Sequence, residues 1–265
     1  MASVFEVRDD VWQVVEPLIP PVKTPEKQGR RPVPDRVAFN AIVFVLVTGI
    51  AWAHLPRELG CSGRRRGGGC ATGRPPACGS ACTPRCWTSS TRPGRSTGRR
   101  RSRTAATFAL FKGALTGPSP VDRGRPGSKH HLLTDSSGVP LAVTLTGGNR
   151  NDVTQLLPLV DGVGPVRGKV GRPRLRADSL VADRGYDFDK YRRALWSRGV
   201  KPIIARRCTE HGSGLGKLRW VVERTFAWLH QFRRLRIRWE RHPELHLAFM
   251  HLGCAFICQR FLRAL

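Results

Sequence analysis

The sequence predicts an α/β protein, a mixed β-sheet flanked by helices and preceded by a small helical N-terminal domain. Three observations carry this expectation. A helix-length apolar run, "VAFNAIVFVLVTGIAW", lies near the N-terminus. From residue 113 onward, short apolar runs bounded by turn residues alternate with helical patterns. Between these parts lies a stretch with no apolar periodicity at all. The expected organisation is therefore a helical N-terminal domain over 1–62, an Arg/Gly/Cys/Pro-rich segment over 63–112, and an α/β domain over 113–265. The charge and motifs below imply DNA contact for the first and catalysis for the last.

The elements follow in order. Val11, Val14, Val15 and Leu18 recur at helical spacing, and Pro20-Pro21 ends that helix. "KTPEKQGRRPVP" is a basic connector, after which Asp35 opens a buried helix expected over 36–52. "KHHLLTDSSGVPLAVTLTGGN" reads as strand, turn, strand, with Ser137-Gly138 at the turn. "NDVTQLLPLVDGV" is a short helix capped by Asn151 or Asp152, and "SLVADRGYD" a buried strand ending at Asp183. "DFDKYRRALWSRG" is an amphipathic helix stopped by Gly199. "VKPIIA" is a strand, and the chain from about Lys217 is helical and basic.

Charge narrows the function. The net charge of +27, from 46 Lys+Arg against 19 Asp+Glu, calls for a polyanionic partner, with nucleic acid first. A membrane partner is not expected, because the N-terminal apolar run falls short of the ~20 residues of a span and holds Asn40. The first residues have no signal-peptide pattern, so the expected location is cytoplasmic, with the nucleoid, and the eight cysteines are expected to be reduced.

Acidic residues are scarce, so their positions matter. Asp183 follows the apolar run Leu180-Val181-Ala182, just beyond a strand end. Glu223 lies within the helical "RWVVERTFAWL". The 39 residues between them hold one helix and one strand, enough to return the final helix to the Asp183 strand. Converging carboxylates bind hard divalent cations, and a pair of such ions can drive phosphodiester cleavage. The competing reading is structural: a turn Asp, and a Glu paired with Arg219 one helical turn earlier.

"VADRGYD" and "RWVVERTFAWLHQFRRL" resemble the second-Asp and Glu motifs of bacterial insertion-sequence DDE transposases, the IS-five-like group. "GPSPVDRGRPGSKHHLLTDSSGVPLAVTLTGGNRNDVTQL" resembles the segment these enzymes carry before the second Asp, and "VFVLVTGIAWAHLPRELG" their helical leader. The resemblance implies a ribonuclease-H-like sheet, with Asp183 and Glu223 as catalytic metal ligands. It implies two Mg²⁺ ions, replaceable by Mn²⁺, and transposon ends and target DNA as partners, acted on by a homo-oligomer. It also implies DNA contacts from Lys129, Arg184, Lys217, Arg219, Arg224, Arg233 and Arg234, with Arg236, Arg238 and Arg241 on the same basic stretch.

The family's first Asp is not found. It belongs near residues 100–108, in a motif of the form DSSHVR, but this chain reads "RRRSRTAATFALF" and has no acidic residue from Leu59 to Val121. Residues 64–103 hold 11 Arg, 7 Gly and 4 Cys and lack Leu, Ile, Val, Met and Phe. From such a composition the first catalytic strand is expected to be missing or disordered. A reading frame shifted by one base turns Cys70, Cys78, Cys82, Cys86 and Trp87 into aliphatics at helical spacing. In the same frame "RTAATFA" admits DSSHVR, its Asp codon straddling Arg103 and Thr104. Residues 64–111 are thus expected to be a frameshifted segment between compensating indels. This leaves three functional readings, an impaired transposase, a non-cutting DNA-binding remnant, or an unrelated metal-dependent nuclease.

Other constellations read as structure. The four cysteines are separated by seven, three and three residues, not grouped as the two separate C-x2-4-C pairs usual in structural zinc sites. Adjacent His130 and His131 on a strand face opposite ways and cannot readily share a metal. The family resemblance implies loop positions for Asp122 and Asp135, which are therefore not substitutes for the first Asp. Asn149 and Asp152 read as turn and cap residues, with a substrate role left open by the resemblance. Cys254 and Cys258 belong to a packing helix.

Overall fold

The computed structural model describes residues 5–20, 32–61, 101–109, 113–120, 123–166, 173–174, 176–208 and 216–263. The four-cysteine reading, Asp122 and most of the segment assigned to a shifted frame lie outside these residues.

Six strands form one mixed sheet. At its centre, β1 (Arg101–Ala109) pairs antiparallel with β3 (Pro126–Asp135), from Arg101↔Asp135 to Ala109↔Gly127. On its other side β1 runs parallel to β5 (Ser179–Ala182), which is parallel to β6 (Lys201–Ile204). β4 (Pro140–Gly147) and the two-residue β2 (Gly117–Pro118) occupy the outer edge of β3. The expectation of a missing first strand is therefore corrected. A ladder is built by backbone N–H and C=O groups, and neighbours on both sides offer partners whatever the side chains. Thr104, Thr107 and Phe108 also suit a pleated strand.

Two apolar layers cover the sheet, and strand alternation sorts the residues between them. Leu132 packs with Val222, Phe226 and Leu229 of α5 (Gly216–Leu229) and with Phe249, Met250 and Cys254 of α6 (Pro243–Arg263). Leu133 faces the other way, toward Leu156 and Leu159 of α3 (Leu156–Asp161) and Leu195 of α4 (Asp189–Trp196). With both faces buried, β3 is buried from Gly127 to Asp135.

The N-terminal elements join the first layer. α1 (Asp9–Val15) leads through a 3₁₀ turn, and α2 (Asp35–Thr48) contributes Ala41, Val45 and Leu46 to the cluster holding Leu132. α2 ends four residues before the expected boundary because Gly49 turns left-handed at φ 74°. A Cβ there would lie 2.9 Å from that of Arg233, so the close approach also needs glycine. α6 is long and apolar enough by composition to cross a membrane, yet Phe249, Met250, Cys254 and Ile257 line the shared core. Burial raises the Cys254 thiol pKa well above its usual value, as suits a core residue.

Candidate active site

β5 ends at Ala182, and Asp183 is the next residue, just beyond the strand end. It caps a 3₁₀ turn over Arg184–Tyr186, accepting the Arg184 N–H at 2.6 Å. Leu180 and Ala182 belong to the α3/α4 layer, so alternation assigns Asp183 to the opposite face, the one α5 covers. α5 touches both β1 and β5, and Glu223 sits on its exposed side. The two carboxylates thus come from elements in contact. Asp187, the other carboxylate of "VADRGYD", is bound instead to Arg192 at 2.6 Å and to the Arg207 N–H at 2.7 Å. Burial pushes its pKa up, but these partners outweigh burial and the net shift is downward.

The β1 ladder defines a third position. Arg101 and Ser102 align with Leu180 and Val181, so two further steps bring position 104 beside Asp183. Position 104 also pairs with Leu132, which faces α5. Position 103 pairs with Leu133 and belongs to the other face. Of the two residues that straddle the expected Asp codon, only Thr104 is in phase with Asp183. Among the described residues, no three His, Cys, Asp or Glu side chains are grouped to hold a metal.

The basic residues divide sharply. Lys129 is buried at 8 % exposure, with its ammonium 2.9 Å from Asp152 and from the Arg150 carbonyl, so its expected DNA contact is replaced by an internal pair. Arg224 lies between the rings of Trp220 and Trp228 and donates to the Ser137 carbonyl at 2.6 Å. It clamps the β3–β4 turn, where Gly138 is left-handed (φ 87°) and a Cβ would lie 3.0 Å from Thr225 Oγ1. Arg234 is buried, donating to Glu240 at 2.7 Å and to the Ile50 carbonyl at 2.9 Å. Arg238 is 0 % exposed, its N–H groups directed to the carbonyls of Ala114, Leu115, Glu240 and Arg241 and to Ser128 Oγ. Arg233, Arg236 and Arg241 are exposed and Arg184 is half-buried. The side chains of Lys217 and Arg219 lie outside the described residues.

A buried polar network escaped sequence reading. His130 and His246 meet Nε2 to Nε2 at 2.8 Å, and His246 Nδ1 lies 3.4 Å from Glu240, itself held by Arg234. His131 turns the other way, to Thr146 Oγ1 at 2.7 Å, so the two histidines face opposite sides as expected. Burial lowers both the His130 and His246 pKa values, and the neighbouring His246 ring lowers that of His130 further. Burial raises that of Glu240, but the His246 bond and Arg234 charge reverse the shift. The one available signal was Glu240 itself, an isolated acid within "RIRWERH". Asn151, not Asp152, caps the turn before α3, while Asp135 accepts the N–H groups of Ser137 and Val139 in the hairpin.

Comparison with known sequences decides the family. The family model described as "Transposase DDE domain" matches residues 89–258, well over half of the chain. The chain belongs to the DDE transposase family. A second model, for IS4/5-family transposases (DUF4096), matches residues 7–65 of this family member. It is 64% identical over 148 residues to a protein named as transposase for insertion sequence element IS402 of Burkholderia cepacia, covering 56% of the chain and 70% of that relative. An uncharacterised 16.2 kDa protein of the same element is 46% identical over 57 residues, 21% of the chain and 39% of the relative. A protein named as transposase for IS6501 of Brucella ovis is 26% identical over 140 residues, 50% of the chain and 98% of its own length. As a DDE transposase the chain is of an enzyme class that acts on DNA, and the family match runs through β1.

Proposed function

We propose that this chain derives from a metal-dependent transposase that cuts at insertion-sequence ends and joins the freed 3′-hydroxyl to target DNA, and that its own centre is one carboxylate short. The parallel register of β1 and β5 supports this reading, since, continued by two residues, it aligns position 104, a Thr, with Asp183. The strand order, with β1, β5 and β6 parallel and β3 antiparallel, supports a ribonuclease-H-like catalytic sheet.

The residues present do not fit a two-ion centre. Mg²⁺ favours near-octahedral oxygen coordination. Asp183 and Glu223 supply carboxylates, but a Thr hydroxyl at 104 would be a neutral donor where an anion is needed to bridge two cations. No reaction step is therefore assigned to a metal in this chain. The exposed arginines would retain affinity for DNA phosphates. The chain's expected behaviour is to bind insertion-sequence ends, as a homo-oligomer, with little or no cutting.

Strand-cleavage assays on duplexes bearing the element's ends, with Mg²⁺ or Mn²⁺, test the proposal. The unaltered chain should cut no faster than its Asp183→Asn variant, and Thr104→Asp should raise cutting above both. Robust cutting by the unaltered chain that Asp183→Asn abolishes would overturn the impaired-centre reading. The coding DNA across residues 60–113 gives an independent check, because stops in the alternative frame, or no Asp-Ser-Ser-His in it, would end the frameshift account.

A further inference from the structure

The Arg238 guanidinium draws together two segments far apart in sequence. It donates to Ala114 O at 2.8 Å and Leu115 O at 3.2 Å from one segment, and to Glu240 O and Arg241 O from its own. Around this buried fork the chain alternates, with Arg238 and Glu240 inside and Ile237 and Trp239 outside. Trp239 is 52 % exposed, Ile237 38 % and Leu115 49 %. Leu115 also adopts a left-handed backbone (φ 54°), uncommon for a branched residue and sustained here by the hydrogen bonds around it. Single exposed apolar residues are ordinary, but Ile237 and Trp239 stand two positions apart on the outer side of one arginine-braced segment and form a shaped surface.

We infer that this platform is a duplex-DNA contact, a statement that rests on the DNA-acting reading above. Exposed Arg236 and Arg241 hold phosphates, while Ile237 and Trp239 press against sugars and bases in a groove. Charge supports the choice of partner. In "RRLRIRWERH" the exposed Arg236 precedes Ile237 and the exposed Arg241 follows Trp239 by two residues, and the whole chain carries +27. Aromatic and aliphatic side chains set among basic ones suit nucleic acid, which offers stacking faces between its phosphates. Position supports it too. Ser128, which Arg238 grips at 2.7 Å, pairs with Phe108, four residues along β1 from position 104 and one strand over. At ~3.3 Å per residue and ~4.8 Å between strands, Ser128, two strands from β5, lies on the order of 16 Å from Asp183, toward the same end of the sheet. That is about four or five base pairs of duplex, so one DNA segment could span both.

The test measures the affinity of the full chain for a 40-base-pair duplex across a range of salt, with sedimentation of the free proteins alongside. Trp239→Ala and Ile237→Ser should each weaken binding about tenfold with an unchanged salt slope, and Trp239→Phe should restore most of the affinity. Arg236→Gln with Arg241→Gln should flatten the slope by about 0.9 for each phosphate no longer neutralised. If the unaltered chain binds DNA and all these variants bind it equally well, the platform is not a DNA contact and the parent reading stands. If the variants instead change the oligomeric state with DNA affinity intact, the face is a protein interface and the inference is overturned. If the unaltered chain does not bind DNA, the parent reading falls and takes this one with it.

Discussion

Within nine residues, 233–241, five arginines serve two opposed purposes. Arg234 and Arg238 are buried and fully engaged by carbonyls, a hydroxyl and a carboxylate, while Arg233, Arg236 and Arg241 face solvent. All five sit in one basic run that looks uniform in sequence. The contrast teaches that a large positive charge identifies a polyanionic partner without showing which cations meet it. Two of the seven residues expected at DNA, Lys129 and Arg234, hold the fold together instead, and Arg224 clamps a turn.

The contrast is easiest to break from the inside. Arg238→Ala leaves the Ala114, Glu240 and Arg241 carbonyls and the Ser128 hydroxyl without the guanidinium N–H groups, while Leu115 O keeps the Ser128 hydroxyl. It should therefore cost at least about 3 kcal/mol or prevent folding. Urea denaturation measures this, and a loss below about 1 kcal/mol would show that the fork is dispensable. Acid should have the next largest effect, through the network around Arg234. His130 and His246 have folded pKa values below the unfolded value of 6.5, so the unfolded chain binds more protons in the window below it. Their contribution is present above pH 6.5 and is lost as pH falls through that window. Glu240, also lowered, adds to the loss under more acid conditions. Melting temperatures should therefore drop between pH 7 and pH 5, and His246→Asn should flatten that dependence. An unchanged melting temperature across this range would rule out a buried neutral pair. The smallest effect belongs to the outside. Arg236→Gln should change stability by no more than about 0.5 kcal/mol while altering the salt dependence of DNA binding.

How much was legible depended on whether the cause was local. The placement of Asp183 at the end of β5, the Ser137-Gly138 turn and the stop at Gly199 follow from short-range patterns and appear as expected. So does the opposition of His130 and His131, a consequence of strand alternation. β1 was illegible because residues 101–109 carry no apolar periodicity, and their pairing is supplied by β3 and β5. The buried arginines were illegible for a related reason. The acceptors of Arg238 include Ala114, 124 residues away, and nothing near Arg238 announces them. At the candidate centre, Asp183 and Glu223 could be placed on their elements from sequence, but choosing Thr104 over Arg103 needed the register of the sheet.

The core shared by α2 and α6 carries a consequence for synthesis. Ala41, Val45 and Leu46 are covered by residues near 222–257, and Arg234 reaches the Ile50 carbonyl across 184 positions of chain. A nascent chain therefore exports an apolar α2 long before its cover has been translated. At ribosomal speeds of about 5–20 residues per second, that interval lasts on the order of ten seconds or more. Such long-range closure is slow and leaves the helix exposed to chance encounters, so early folding of this protein should depend on chaperone shelter until the last helix is made.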